Sequence, residues 1–149
     1  FDDEGVRTRE RRVVDAGVAQ GYFLSSYSAR KLGMRTTGHA GGAQNLRLTS
    51  RLTQPGDDLE QMLRKLHRGL FVTELMGQGV NYVTGDYSRG AAGFWVEGGR
   101  MVHPVQEVTI AGNLAQMLRD IQAVGADAYT WGGKTVGSVL IGGMTLAGS

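Results

Sequence analysis

The side chains with the clearest capacity for chemistry lie between Gly69 and Asn113. Glu74 sits inside the apolar run LFVTELM (70–76), and a compact polar set follows it: Asn81, Thr84, Asp86, Ser88 and Arg89. A carboxylate among apolar neighbours can have a raised pKa and act as an acid or base, although a sheet-edge or interface position beside an arginine is the commoner use. Asp86, Ser88 and Arg89 could hydrogen-bond a peptide; a turn stabilised by Asx and Ser hydrogen bonds is the simpler reading. Ser88 has no base close in sequence, and Asp86, two residues away, falls on the same side of an extended chain.

Motif chemistry is absent. The sequence has no HExxH, no GxSxG, no P-loop lysine and no GxGxxG opening a helix. His39, His67 and His103 occupy three separate segments without metal-ligand spacing, and there is no cysteine, which excludes disulfides, Cys-ligated zinc and thiol nucleophiles. His39 is expected to make a local hydrogen bond in a glycine loop, His67 to face a helix C-terminus, and His103 to be an edge-strand residue before Pro104. On the residues alone, this chain carries no catalytic apparatus of its own.

The elements that must position these groups read as short strands and turns. Val6–Val14 and Val18–Leu24 form an expected hairpin around Asp15-Ala16-Gly17, with Arg7, Arg9 and Arg11 on one strand face. Ser25 or Ser26 caps a short helix over 27–32 that stops at Gly33; 36–45 is a glycine loop; 46–52 is a candidate strand. The strongest helix follows Asp57, whose spacing to Glu60 forms a capping box. Leu59, Met62, Leu63 and Leu66 make its apolar stripe and Gly69 closes it. In the strand over 70–76, alternation places Leu70, Val72, Glu74 and Met76 on one face and Phe71, Thr73 and Leu75 on the other. Strands at 80–83 and 91–96 flank the polar turn, and Glu97-Gly98-Gly99-Arg100 signals a hairpin. Asn113 with Gln116 opens a second amphipathic helix running to Gly125. Ser138–Ile141 and Met144–Ala147 make a last hairpin through Gly142-Gly143.

The predicted fold class is therefore α+β: predominantly antiparallel β, with a barrel-like closure left open, and two amphipathic helices packed on the sheet. A 149-residue chain that is 41% hydrophobic can bury a core as a single domain. Its 24 glycines, with two prolines and no three-residue period, exclude collagen and indicate tight turns. The net charge of +2 from 16 basic and 14 acidic residues gives no nucleic-acid footprint, and no apolar run reaches the ~18 residues a membrane span needs. The opening FDDEG lacks an initiator Met and signal-peptide order, so residue 1 is not expected to be the native start.

The segment FVTELMGQGVNYVTGDYSRGAAGFWVE (71–97), with PVQEVTIAGN (104–113) and GSVLIGGMTLAG (137–148), resembles the C-terminal part of the TldD/PmbA family, once described as modulators of DNA gyrase. DDEGVRTR, GVAQGYFLSSYSARKLG and TGHAGGAQNL extend the resemblance over essentially the whole chain. It implies a cytoplasmic, heteromeric metallopeptidase that processes peptides and degrades unfolded segments. There the TldD-type subunit carries an HExxxH zinc motif and a later cysteine ligand, and the PmbA-type (TldE-type) subunit lacks them. Thr135-Val136-Gly137-Ser138 stands where that cysteine would be, and the version at 80–97 is the PmbA type. The resemblance thus implies no catalytic or metal-binding residue here, zinc in a TldD-like partner, and an unfolded peptide as substrate. Asn81, Thr84, Asp86, Ser88, Arg89 and Glu74 are the candidates for peptide binding or assembly, with self-association also open. A gyrase-associated nucleic-acid-complex module, using Arg7, Arg9, Arg11 and Arg12, is the alternative.

Overall fold

The computed structural model describes residues 1–148. In chain order the elements are β1 (Val14–Asp15), β2 (Val18–Ala19), α1 (Ser26–Lys31), β3 (Leu46–Arg47), α2 (Leu59–Leu66), β4 (Gly69–Met76), β5 (Asp86–Glu97), β6 (Arg100–Asn113), α3 (Leu114–Arg119), β7 (Ile121–Val124), β8 (Tyr129–Trp131), β9 (Lys134–Val136), β10 (Val139–Ile141) and β11 (Thr145–Ala147). They fall into two compact units, one of residues 1–47 with 131–134 and one of 48–130 with 135 onward.

The first unit is mostly irregular chain fastened by polar side chains. The buried Asp2 carboxylate accepts from Glu4 N at 3.0 Å, Val6 N at 2.9 Å and Ala40 N at 3.0 Å. Burial pushes its pKa up, and the three amide bonds outweigh that push, leaving the carboxyl below the ordinary aspartate range. Helix α1 begins with a capping box between Ser25 and Ser28 and ends before Gly33 at φ 64°. The expected hairpin is present but shrunk to two residue pairs, Val14 with Ala19 and Asp15 with Val18. Its arginines consequently share no strand face: Arg11 leaves for the Phe23 ring, 5.2 Å from its centroid, and donates to Tyr22 O at 2.6 Å. The long candidate strand at 46–52 is likewise reduced to two residues.

The second unit is built on an antiparallel sheet of order β11-β6-β5-β4. It is open, with β4 and β11 as edges, so the barrel option does not hold. Gly98 and Gly99, at φ 57° and 74°, make the expected two-residue β5–β6 turn. Ala91, Val108 and Ile110 form the buried centre of one face, with Leu70, Val72, Tyr87, Val105 and Met144 packed around them. Pro104 faces Phe94 on β5 while β11 covers β6 only from Thr109 to Ala111, so the proline's missing donor falls on an unpaired edge.

Helix α2 buries Met62 and Leu63, two of the four predicted stripe residues. Its cap is Asp58, not Asp57: Asp58 accepts from Gln61 N at 2.9 Å. Asp57 is displaced from that role because its buried carboxylate accepts from Gln54 N at 2.9 Å and from Lys65 Nζ at 2.6 Å. The Lys65 hydrogen bond, then the Gln54 amide, hold the carboxyl below the ordinary aspartate range. A pKa lowered by folding stabilises the native state above the unfolded carboxyl's pKa, and the contribution disappears as pH falls through the folded value. Asp57→Asn is therefore expected to lower the thermal midpoint at pH 7, and the gap to the parent should narrow below about pH 4. A gap that widens on acidification would contradict this assignment.

Two further expectations fail for the same reason, that tertiary strand pairing overrides a local pattern. Helix α3 stops at Arg119 because Ile121–Val124 pairs with β10. The strands β10 and β11 do not form a hairpin: β10 joins β7 and β11 joins β6.

Candidate functional site

The candidate side chains are positioned by the end of β5 and the turn that precedes it. Residues 80–83 are not a strand; only Val80 bridges to Tyr87. Ser88 N donates to Gly79 O at 2.7 Å and Asn81 N to Asp86 O at 2.8 Å, while Gly85 N closes the turn onto Asn81 O at 2.8 Å. Gly79 is required there, since a Cβ would lie 1.7 Å from Ser88 O.

Within this tip the polar side chains satisfy the turn. Asn81 Oδ1 accepts from Val83 N at 2.9 Å and Thr84 N at 3.2 Å, an Asx arrangement. Thr84 Oγ1 donates to Asp86 Oδ2 at 2.6 Å. Asn113 works twice: its Nδ2 donates to Thr84 O at 3.0 Å and its Oδ1 accepts from Ala115 N at 3.1 Å, which ties the tip to the start of α3. Asn113→Ala should therefore cost about 1–2 kcal/mol, a helix cap plus a turn hydrogen bond, measured by urea unfolding. An effect under about 0.3 kcal/mol would remove Asn113 from this role.

Asn81, Thr84 and Asp86 are thus brought together, and Ser88 and Arg89 are not part of their network. Ser88 is exposed on β5. Arg89 Nη2 reaches Leu75 O at 3.3 Å, and its Nε is buried without a partner among the described residues. Glu74 departs from its expected face. A bulge between Val72 and Glu74 shifts the register, so Leu75, opposite Ala91, joins Leu70 and Val72, and Glu74, opposite Ala92, is turned outward and exposed. The apolar surroundings expected for it are absent at this exposed position.

Sequence reading missed a groove of about 550 Å³ between α2, the core face of the sheet and the β10–β11 segment. Met62, Leu66, Leu70, Val72, Tyr87 and Met144 are among its apolar walls, and Arg68 is its charged lining residue. The amphipathic octet LEQMLRKL (59–66) was the available signal, since its stripe points at this groove. Such an apolar concavity beside an open sheet edge can bind hydrophobic side chains of a peptide or subunit. Histidine chemistry lies elsewhere: His39 is half-buried, with Nδ1 3.0 Å from Thr37 Oγ1 and its ring edge-on to Phe23.

The second unit is thus an open antiparallel sheet with a hydrogen-bonded tip and an apolar groove, and comparison with known proteins gives the family of the chain. The profile of the PmbA/TldA metallopeptidase C-terminal domain matches residues 1–148, and the chain belongs to that family. It is 54% identical to the metalloprotease PmbA of Escherichia coli O157:H7 over 148 residues, 99% of this chain and 32% of that protein. It is 50% identical to the PmbA homologue of Haemophilus influenzae over 149 residues, again 32% of the relative. A crystal structure from Thermotoga maritima, described as a candidate modulator of a DNA gyrase, superposes with a TM-score of 0.83 at 37% identity, covering 99% of this chain and 35% of that one. The chain thus spans about a third of the relatives it matches.

A metallopeptidase family implies a metal, and the expectation placed zinc in a TldD-like partner and none in this chain. The residues here do not fit one: among the described residues no group of three or more His, Cys, Asp or Glu is placed to hold a metal ion. No catalytic step is therefore derived through a metal in this chain. No helix among the described residues is long and apolar enough to cross a membrane.

Proposed function

We propose that this chain is the C-terminal domain of a PmbA-type subunit in a two-subunit TldD/PmbA peptidase, with the zinc carried by a TldD-type partner. The observation that carries the reading is the donor inventory: a metallopeptidase-family domain with no cysteine and three histidines fixed in unrelated places. The 54% identity to a relative bearing the PmbA name supports the subunit type. Acting in the cytoplasm on unfolded peptides, the domain contributes partner contacts and part of a substrate cavity. The open edges of its sheet suit main-chain pairing, which tolerates any peptide sequence. The polar tip at 81–86, with its internal hydrogen bonds, serves as a rigid scaffold for such contacts rather than as a reacting group.

The test is peptidase activity on an unstructured polypeptide, assayed for the full-length protein alone, a TldD-type partner alone and the mixture. Activity is expected only when the partner is present and is expected to rise on mixing. Full activity from the full-length protein alone would overturn the assignment.

A further inference from the structure

Helix α2 ends in a backbone conformation that its sequence does not favour. His67 stands at φ 56° and ψ −58°, and Arg68 N donates back to Leu66 O at 2.5 Å. Together these make a γ-turn of the rare, strained kind, centred on a residue that carries a Cβ. Glycine takes positive φ without that strain, yet the nearest glycine, Gly69, arrives two positions later.

The surroundings impose this conformation. His67 and Arg68 alone join α2 to β4. His67 O accepts from Gly99 N at 2.9 Å, and the β5–β6 turn is wedged so closely against the last helical turn that a Cβ on Gly99 would lie 2.8 Å from Arg64 Cα. On the β4 side, a Cβ on Gly69 would lie 2.8 Å from Leu66 Cδ1. The joint is compressed from both directions.

One side chain holds the joint shut. Lys65 Nζ reaches from the last turn to the buried Asp57 carboxylate at 2.6 Å. Asp57 is fixed in turn, because its main-chain oxygen accepts from Ala126 N at 2.7 Å and Thr53, four residues earlier, donates to Val124 O at 2.7 Å. The ion pair therefore ties the strained end of α2 to the end of β7. Met62 and Leu63 are buried and keep the middle of the helix on the sheet, whereas Leu66 is only half-buried where it lines the apolar groove. The end turn can move without the rest of α2.

We propose that residues 64–68 form a sprung latch: strain at His67 pushes the last turn of α2 away from the β5–β6 turn, the Lys65–Asp57 pair holds it down, and release of that pair frees Leu66 and opens the Arg68 end of the groove. One strained residue and one partly exposed ion pair are of comparable size, so loss of the pair tips the balance. This device is independent of the peptidase reading above.

The test is hydrogen–deuterium exchange read by mass spectrometry on the full-length protein, comparing the parent with Lys65→Met, His67→Gly and the double variant. Lys65→Met is expected to speed exchange of the amides of residues 67 and 68 at least about tenfold, corrected for intrinsic rates, while the β5 and β6 amides keep the parent's protection. His67→Gly is expected to slow the same amides below the parent's rate and to return the double variant to within about threefold of the parent. Leu66→Cys, introduced into each background and labelled with a maleimide, should react in the same order. A His67→Gly protein whose last turn exchanges as fast as the parent's would overturn the proposal, because glycine would then relieve nothing. So would a Lys65→Met protein with unchanged exchange, or one in which β5 and β6 lose protection equally, which marks unfolding of the whole unit.

Discussion

Replacing Gly93 by alanine is expected to unfold the second unit or to destabilise it by at least about 3 kcal/mol, although alanine adds one methyl group. The methyl would stand 1.9 Å from Phe71 O, 2.9 Å from Phe71 C and 3.0 Å from Val72 Cα. Those atoms are backbone of the neighbouring strand and cannot rotate away. Gly93 pairs with Val72 where bulges in both β4 and β6 bring the chains close, so relief requires separating β4 from β5. Separation would also expose Leu70 and Val72 from the packed face. Gly143→Ala is the control, since its Cβ would meet nothing within 4 Å and its φ is not in the left-handed region. That change should stay within about 0.5 kcal/mol of the parent. Urea midpoints and soluble yield decide it; a Gly93→Ala protein as stable as Gly143→Ala would contradict the close β4–β5 approach.

Met62→Asp is expected to have the next largest effect. Met62 is 4% exposed and faces the apolar groove from α2, so an ionised carboxylate there would lose its water without gaining a partner. The cost is several kcal/mol, of the order of about 3 or more, and α2 should detach from the sheet. Met62→Leu nearly conserves the volume and should cost less than about 1.5 kcal/mol. Circular dichroism with urea titration separates the two. Equal stability of the aspartate and leucine variants would mean that α2 does not pack its predicted stripe.

The contrast between these positions shows what the sequence made legible. Caps located α1 and the start of α3, periodicity located α2 with its cap one residue later than expected, and the Gly98-Gly99 turn fixed the central hairpin, because those signals are local. The bulge beside Val72 was not legible, because it depends on how β5 and β6 pair, and it inverted the face assigned to Glu74 and Leu75. Pairing of β7 with β10 likewise truncated a helix whose apolar pattern ran on to Ile121. In the candidate site, Asn113 was visible as a cap, but the polar turn was read at 84–90 after a strand at 80–83, whereas it lies at 81–85 and β5 begins at Asp86. The bond that joins them was not visible, since Thr84 and Asn113 meet only after β5 and β6 align. The groove was half legible: one wall is the stripe of α2, but the other comes from β10 and β11, whose pairing contradicts the hairpin suggested by Gly142-Gly143.

Zinc content tests the central claim most directly. The full-length protein should be purified alone, exchanged into metal-free buffer, equilibrated with one equivalent of zinc, desalted and analysed by mass spectrometry for metal. The same procedure should follow mixing with a TldD-type partner. Substoichiometric zinc is expected in the protein alone and about one zinc per partner chain in the complex. One tightly held zinc per chain in the unmixed protein would contradict it.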